Sequence, residues 1–362
     1  METRRMCAAV GAAAVIASSV SLAGQTDAGR PEAGNLAGTD NVKAFIASRV
    51  EKNWTPPKTP WGDPNISGVF TTKDEANTPF ERPDEWAGRR MDDITPTEFA
   101  EAVAQRQQAA VERAPFAGGG EAQQGVAIAV PIHWFDNLAA KNSRPWFVID
   151  PPEGKMPALT PEGQRQVKEY RQWRAVPAGA ATNRGGRRDT YLDRTLDDRC
   201  ILGLGSLWPV PTIYGNSYQI LQHKDYVILR YEMVHEARMI PLDGRPQPSA
   251  AIAQYAGSSR GHWDGDTLVV ETTNIHPTME YRNTSAKELR IVERFTRIAP
   301  NRVEWTMTID NPSAYPQPWT YSIPMTEDST QLIHEYACHE GNFGMANLLT
   351  GGRMADEGRA PK

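Results

Sequence analysis

From residue 226 to residue 338 the chain repeats one pattern: short runs rich in valine, isoleucine, tyrosine and threonine, separated by turn residues such as Asp243-Gly244, Asp264-Gly265 and Asp310-Asn-Pro312. The runs cover 226–231, 235–240, 252–255, 267–273, 289–297, 303–309, 320–323 and 332–338, and the first two can form one long strand. Val303, Trp305, Met307 and Ile309 alternate with Glu304, Thr306 and Thr308. A period of two predicts a half-buried antiparallel strand, because successive side chains point to opposite faces. Seven or eight strands at this spacing predict a mostly β protein, an antiparallel meander that curls into a barrel or a sandwich. A calycin-like or lipocalin-like barrel is one such form, and closure removes exposed strand edges. No glycine-rich phosphate loop joins a strand to a helix, and long helices do not alternate with the strands. Both features disfavour a dinucleotide fold.

The amino-terminal half has another character. Residues 1–23 read as an export signal, with Arg4 and Arg5 before an alanine-rich apolar stretch and small residues at Ser21 and Ala23. That stretch is shorter than the ~20 residues of a spanning helix. The expectation is a periplasmic or secreted chain without a stable membrane anchor. Residues 24–200 read as an irregular and helical strap with short strands at 126–130 and 146–149, 201–350 as the antiparallel β domain, and 351–362 as a flexible tail. Helices are expected over 42–50, capped by Asp40, and from Thr95 through Arg113, where Pro96 and Glu98 complete a capping box. A third enters at Thr160-Pro161 and runs through Trp173, with Val167, Tyr170 and Trp173 as its contact face; a short terminal helix follows Glu340-Gly341-Asn342. Trp61-Gly-Asp-Pro64 reads as a turn within a proline-rich segment. The acidic and basic residues number 44 and 39, for a net charge of −5, and no basic tract dominates. Nucleic acid is therefore a poor partner. Only Cys200 and Cys338 follow the signal, and pairing is the structural expectation in an oxidising compartment.

Chemistry concentrates in the turn Gly257-Ser-Ser-Arg260-Gly-His262-Trp-Asp264-Gly-Asp266, which leads into a strand bearing Glu271. His262 is suited to proton transfer near neutral pH and Arg260 to holding an anionic oxygen; Asp264 and Asp266 can orient either. Glu271, opposite Leu268, Val270 and Thr272, or Tyr231 supplies the complementary acid or base. Alternatively the turn's side chains simply satisfy one another. His235 and Glu236 point to opposite faces of an extended segment, so Tyr231 and His235 are the better pair. His334, Glu335, His339 and Glu340 lack the helical His-Glu-x-x-His spacing, although His262 or His276 can join one of these histidines around a metal. The ten tryptophans suit an aromatic-lined pocket or a large β-rich core equally.

Trp61-Gly-Asp-Pro64, Asp198-Arg-Cys200, Tyr231-Glu-Met-Val-His235, the 257–272 segment and Tyr336-Ala-Cys-His-Glu-Gly341-Asn together resemble a widespread family of exported bacterial proteins, largely of unassigned function. The resemblance extends to some bacterial aromatic-degrading lyases, which implies a cofactor-independent lyase. The leading expectation is thus a secreted lyase or isomerase acting on a small aromatic or apolar metabolite without a cofactor. A metal-dependent hydrolase and a carrier of a hydrophobic ligand are the alternatives; oligomeric state is left open.

Overall fold

The structure, a computed structural model, describes residues 40–113, 140–174, 189–203, 207–212, 214–330 and 333–357. The expected signal and the strand at 126–130 lie outside these residues. Helix and strand contribute comparable lengths of chain. The helices are α1 (Asp40–Arg49), α2 (Pro96–Arg113), α3 (Pro161–Arg174) and α4 (Phe343–Asp356). The strands are β1 (Gly68–Thr71), β2 (Val148–Asp150), β3 (Ser217–Gln222), β4 (Tyr226–Tyr231), β5 (Ala237–Pro241), β6 (Ser258–Asp264), β7 (Thr267–Thr273), β8 (Glu280–Tyr281), β9 (Thr284–Ser285), β10 (Arg290–Ala299), β11 (Arg302–Asp310) and β12 (Trp319–Glu327). Ten strands form one antiparallel sheet in the order β5-β4-β3-β1-β12-β11-β10-β7-β6, with β2 pairing β12 off that path, while β8 and β9 form a separate hairpin.

The sheet is open, which corrects the expected mostly β barrel or sandwich and its lipocalin-like form. No hydrogen-bonded ladder joins its end strands β5 and β6. They meet through side chains: a Cβ on Gly261 would lie 2.8 Å from both Ile240 and Leu242. The fold is a mixed one, and the amino-terminal half contributes both helices and strands to it. That half inserts β1 between β3 and β12, adds β2 beside β12, and packs coil against the inner face, through Phe80 and Leu159, and helix and coil against the outer face, through Lys43 and Arg144. Covered in this way, the sheet needs neither a second sheet nor closure.

The register divides the sheet cleanly. The inner face carries Tyr218, Tyr231, Phe295, Trp305, Trp319 and Tyr321, all buried in one apolar core. The outer face carries Thr306, Thr308, Thr320 and Ser322, also buried. β11 is therefore buried on both faces rather than half-buried, and on its outer face Glu304 and Thr308 are hydrogen-bonded within the protein instead of hydrated. Arg144, from the covering segment, forms a two-pronged bond to Glu304 at 2.8 and 2.9 Å, and Ser322 donates to the same carboxylate. Burial alone would raise the Glu304 pKa, but the Arg144 charge and these hydrogen bonds hold it below its ordinary range. A second buried pair crosses the inner face. Arg238 on β5 bonds Glu293 on β10 at 2.7 and 2.8 Å, and the Trp305 indole donates to Glu293.

Local signals in the amino-terminal half translate directly. Thr95 and Glu98 form the capping box of α2, with the Thr95 amide donating to Glu98 at 3.0 Å. Thr160 caps α3 by accepting from the Gly163 amide. Other expectations need correction. The 258–264 segment is a strand, not a turn. The 252–255 run makes only an isolated bridge from Gln254 to Ile275. Within 332–338 the described residues, 333–338, form no strand. α4 continues to Asp356, so the tail is not wholly irregular. The 226–231 and 235–240 runs are separated by a tight turn, Met233–His235, in which Val234 and His235 take positive φ of 57° and 42°.

Candidate functional site

The sequence-predicted residues do not converge. Arg260, His262, Asp264 and Glu271 project from the outer face, as their pairing across β6 and β7 requires. Tyr231 lies on the inner face, on the other side of the sheet. His262 is exposed. Arg260 donates to the main-chain oxygens of Pro246 and Ser259. Glu271 forms an ion pair with Arg290 at 2.9 Å. Asp264 and Asp266 hold Lys43 of α1 and Lys58 of the proline-rich segment, each at 2.9 Å. The hydrogen bond from Lys43 keeps the Asp264 carboxyl below its ordinary pKa. The charged hairpin thus fastens the amino-terminal covering to the sheet.

Tyr231 is fully buried, and its hydroxyl makes no hydrogen bond among the described residues. Burial pushes its pKa well up, so it stays a neutral phenol. His235 is not its partner. The tight turn swings His235 outward, where Nδ1 donates to the Tyr336 carbonyl at 2.9 Å. The histidines at 334 and 339 are exposed on the segment leading to α4. Among the described residues no three His, Cys, Asp or Glu side chains gather for a metal.

The concavity lies elsewhere. A cleft of about 780 Å³ opens between α3, the 192–203 segment, Leu207-Trp208 and the β8–β9 hairpin. Its apolar lining includes Tyr170, Trp173, Leu202, Trp208, Tyr255 and Met279. Leu202, Leu207 and Met279 also belong to the inner-face core, so the floor of the cleft is the rim of that core. Polar and charged residues share the lining with these, including Glu169, Asp197, Arg199, Thr278, Glu280 and Asn283.

Its walls are fixed from several directions. Gln166 of α3 accepts from the Ser285 amide at 3.0 Å, tying the helix to the hairpin. Arg194 is buried and pairs with Asp198 at 2.7 Å. Cys200 and Cys338 are joined in a disulfide that anchors the 192–203 wall to the carboxyl-terminal segment. Asn342 adds a bond to the Asp198 carbonyl at 3.1 Å. Behind the same wall Met233 packs on Gly203, where a Cβ would sit 2.5 Å from the methionine Cβ. Any larger residue at 203 would displace the wall. The Tyr231-to-His235 and Tyr336-to-Asn342 motifs therefore brace the cleft from outside instead of supplying its reactive groups.

Sequence reasoning missed Trp208, Tyr255, Met279 and Asp197 as cleft residues. Tyr170 and Trp173 were expected to form a helix contact face, and they line the cleft. A tryptophan set beside Pro209 in a loop was the available signal, since a bulky ring in irregular chain needs a surface to cover. Compared with protein-family models and with curated proteins, the chain matches none. Function is therefore read from the cleft itself.

Proposed function

We propose that the protein binds a small, predominantly aromatic molecule in the cleft between α3 and the β8–β9 hairpin. The observation that carries this reading is the cleft's combination of size and lining. About 780 Å³ falls within the ~300–1,000 Å³ typical of small-molecule sites. Aromatic and aliphatic side chains interspersed with polar and charged ones favour an apolar body that carries polar substituents to set its orientation. Binding, as in a carrier, needs no acid–base pair. Of the groups on which proton-transfer chemistry was to rest, Arg260, Asp264 and Glu271 are held by other partners on the outer face, His262 is exposed there, and Tyr231 lies on the opposite face, which supports binding over the His262-centred lyase or isomerase.

Calorimetric titration with simple aromatic alcohols tests the proposal. Trp208→Ala should weaken binding about tenfold, equivalent to ~1.4 kcal/mol. His262→Ala should leave it unchanged. The reading fails if affinity survives loss of Trp208 and disappears with His262.

A further inference from the structure

We infer that the Cys200–Cys338 disulfide is a thiol-sensitive switch on the cleft: a dithiol reductant that breaks it loosens the 192–203 wall and weakens ligand binding. The switch rests on the binding reading above. Residues 195–201 form one tight turn, in which the amides of Arg199, Cys200 and Ile201 donate to the carbonyls of Thr195, Asp197 and Leu196 at 3.2, 3.0 and 2.8 Å. The last two bonds are those of a helix-ending cap, whose first residue beyond the helix takes a left-handed backbone and is usually glycine. Here it is Cys200, with φ of 55°. A Cβ disfavours that backbone, so the bond to Cys338 holds in place a turn that the side chain at 200 opposes. Thr195, Leu196, Asp197, Arg199, Leu202 and Gly203 line the cleft along this turn, so its shape is the shape of the wall.

At the other end of the bond, the segment 333–342 forms neither helix nor strand. It is tied to the body where His235 and Tyr214 hydrogen-bond Tyr336, and where Asn342 donates to the Asp198 carbonyl and, at 3.4 Å, to Cys200 Sγ. Cys200 is 4% exposed, whereas Cys338 is half-buried between exposed Ala337 and His339, so a thiolate reaches the Cys338 sulfur first. Attack forms a bond between that thiolate and Cys338 Sγ, and the disulfide breaks with its electron pair on Cys200, which takes a proton from water. The reductant's second thiol, losing its proton, then displaces Cys338 as a thiol and leaves the reductant as a cyclic disulfide. Cys200 is the first leaving group, and the Asn342 N–H on its sulfur stabilises the departing thiolate. A better leaving group speeds the exchange.

Calorimetry with phenol and benzyl alcohol tests the switch on oxidised and dithiothreitol-reduced protein. Reduction should weaken binding several-fold, and reoxidation with oxidised glutathione should restore it. The Cys200→Ser/Cys338→Ser variant should bind like the reduced protein and ignore dithiothreitol. Cys200→Gly/Cys338→Ser also lacks the bond, but glycine suits the left-handed position, so it should recover part of the affinity. Hydrogen exchange should quicken in 192–203 on reduction while strands β10 to β12 stay protected. Asn342→Ala should slow reduction, whereas loss of a purely structural brace would speed it. Equal affinity in the oxidised and reduced forms would overturn the switch and leave the cleft reading intact. Loss of protection in β10 to β12 on reduction would overturn it too, since the change would then be unfolding. Faster reduction of Asn342→Ala would overturn the leaving-group assignment, and no gain from glycine would overturn the cap as the moving part. No binding by the oxidised protein would overturn both the switch and the reading beneath it.

Discussion

Glu304 shows how a single residue departs from what its neighbours in sequence imply. Alternation between Val303 and Trp305 assigns it to solvent, yet its side chain is 0% exposed. The partner that permits this, Arg144, lies 160 residues away, and no local pattern could announce it. Removing the carboxylate strands a buried guanidinium, so Glu304→Gln should cost about 3–5 kcal/mol in urea unfolding at neutral pH. The pH dependence follows from the sign of the shift. The folded carboxyl titrates below its ordinary value of 4.5, so its contribution is complete above that value and is lost as pH falls through the folded one. The stability gap between wild type and Glu304→Gln should therefore narrow below about pH 4.5. Glu75 acts in the opposite sense, since burial raises its pKa, and comparing variants rather than wild type alone separates the two. A gap unchanged down to pH 2 would refute the pairing.

At the scale of elements, legibility tracks the sequence distance over which an interaction acts. The α2 and α3 caps were readable because Thr95 with Glu98, and Thr160 with Gly163, act within three residues. The β6 strand was not, since Gly257, Gly261 and Gly265 resemble turn residues; pairing with β7 overrides that preference. The 332–338 run was read as strand from its apolar content, but its described part is positioned by Cys338 and the His235–Tyr336 hydrogen bond. The disulfide spans 138 residues, a separation for which loop-closure arguments give stabilisation of roughly 2–5 kcal/mol. The Cys200→Ser/Cys338→Ser double variant should lose stability of that order. Because Asp197, Arg199 and Leu202 line the cleft beside Cys200, it should also bind simple aromatic alcohols several-fold more weakly. Unaltered affinity alongside lowered stability would show that the bond does not position the wall.

For the whole molecule, the strand inventory of the carboxyl half was largely legible, whereas closure was not. Whether a meander closes depends on what covers its faces, and here the cover comes from the amino-terminal half. The cleft was illegible for a similar reason: Tyr170, Trp208, Tyr255 and Met279 are far apart in the chain and meet only when the sheet curves. That curvature brings the unpaired edges β5 and β6 together at Gly261. Gly261→Val would force Ile240 and Leu242 away, and overpacking of this kind costs about 1–3 kcal/mol. A thermal midpoint unchanged from wild type would mean that the edges do not touch in solution.

The most direct test of the central claim is photolabelling with an aromatic alcohol that carries a diazirine, read by peptide mass spectrometry. Binding in the cleft predicts adducts on the peptides containing Trp208, Tyr255 or Met279, competed away by an excess of the same alcohol without the diazirine. Competed labelling confined to residues 258–266, with those peptides unmodified, would place the ligand on the outer hairpin and contradict the account.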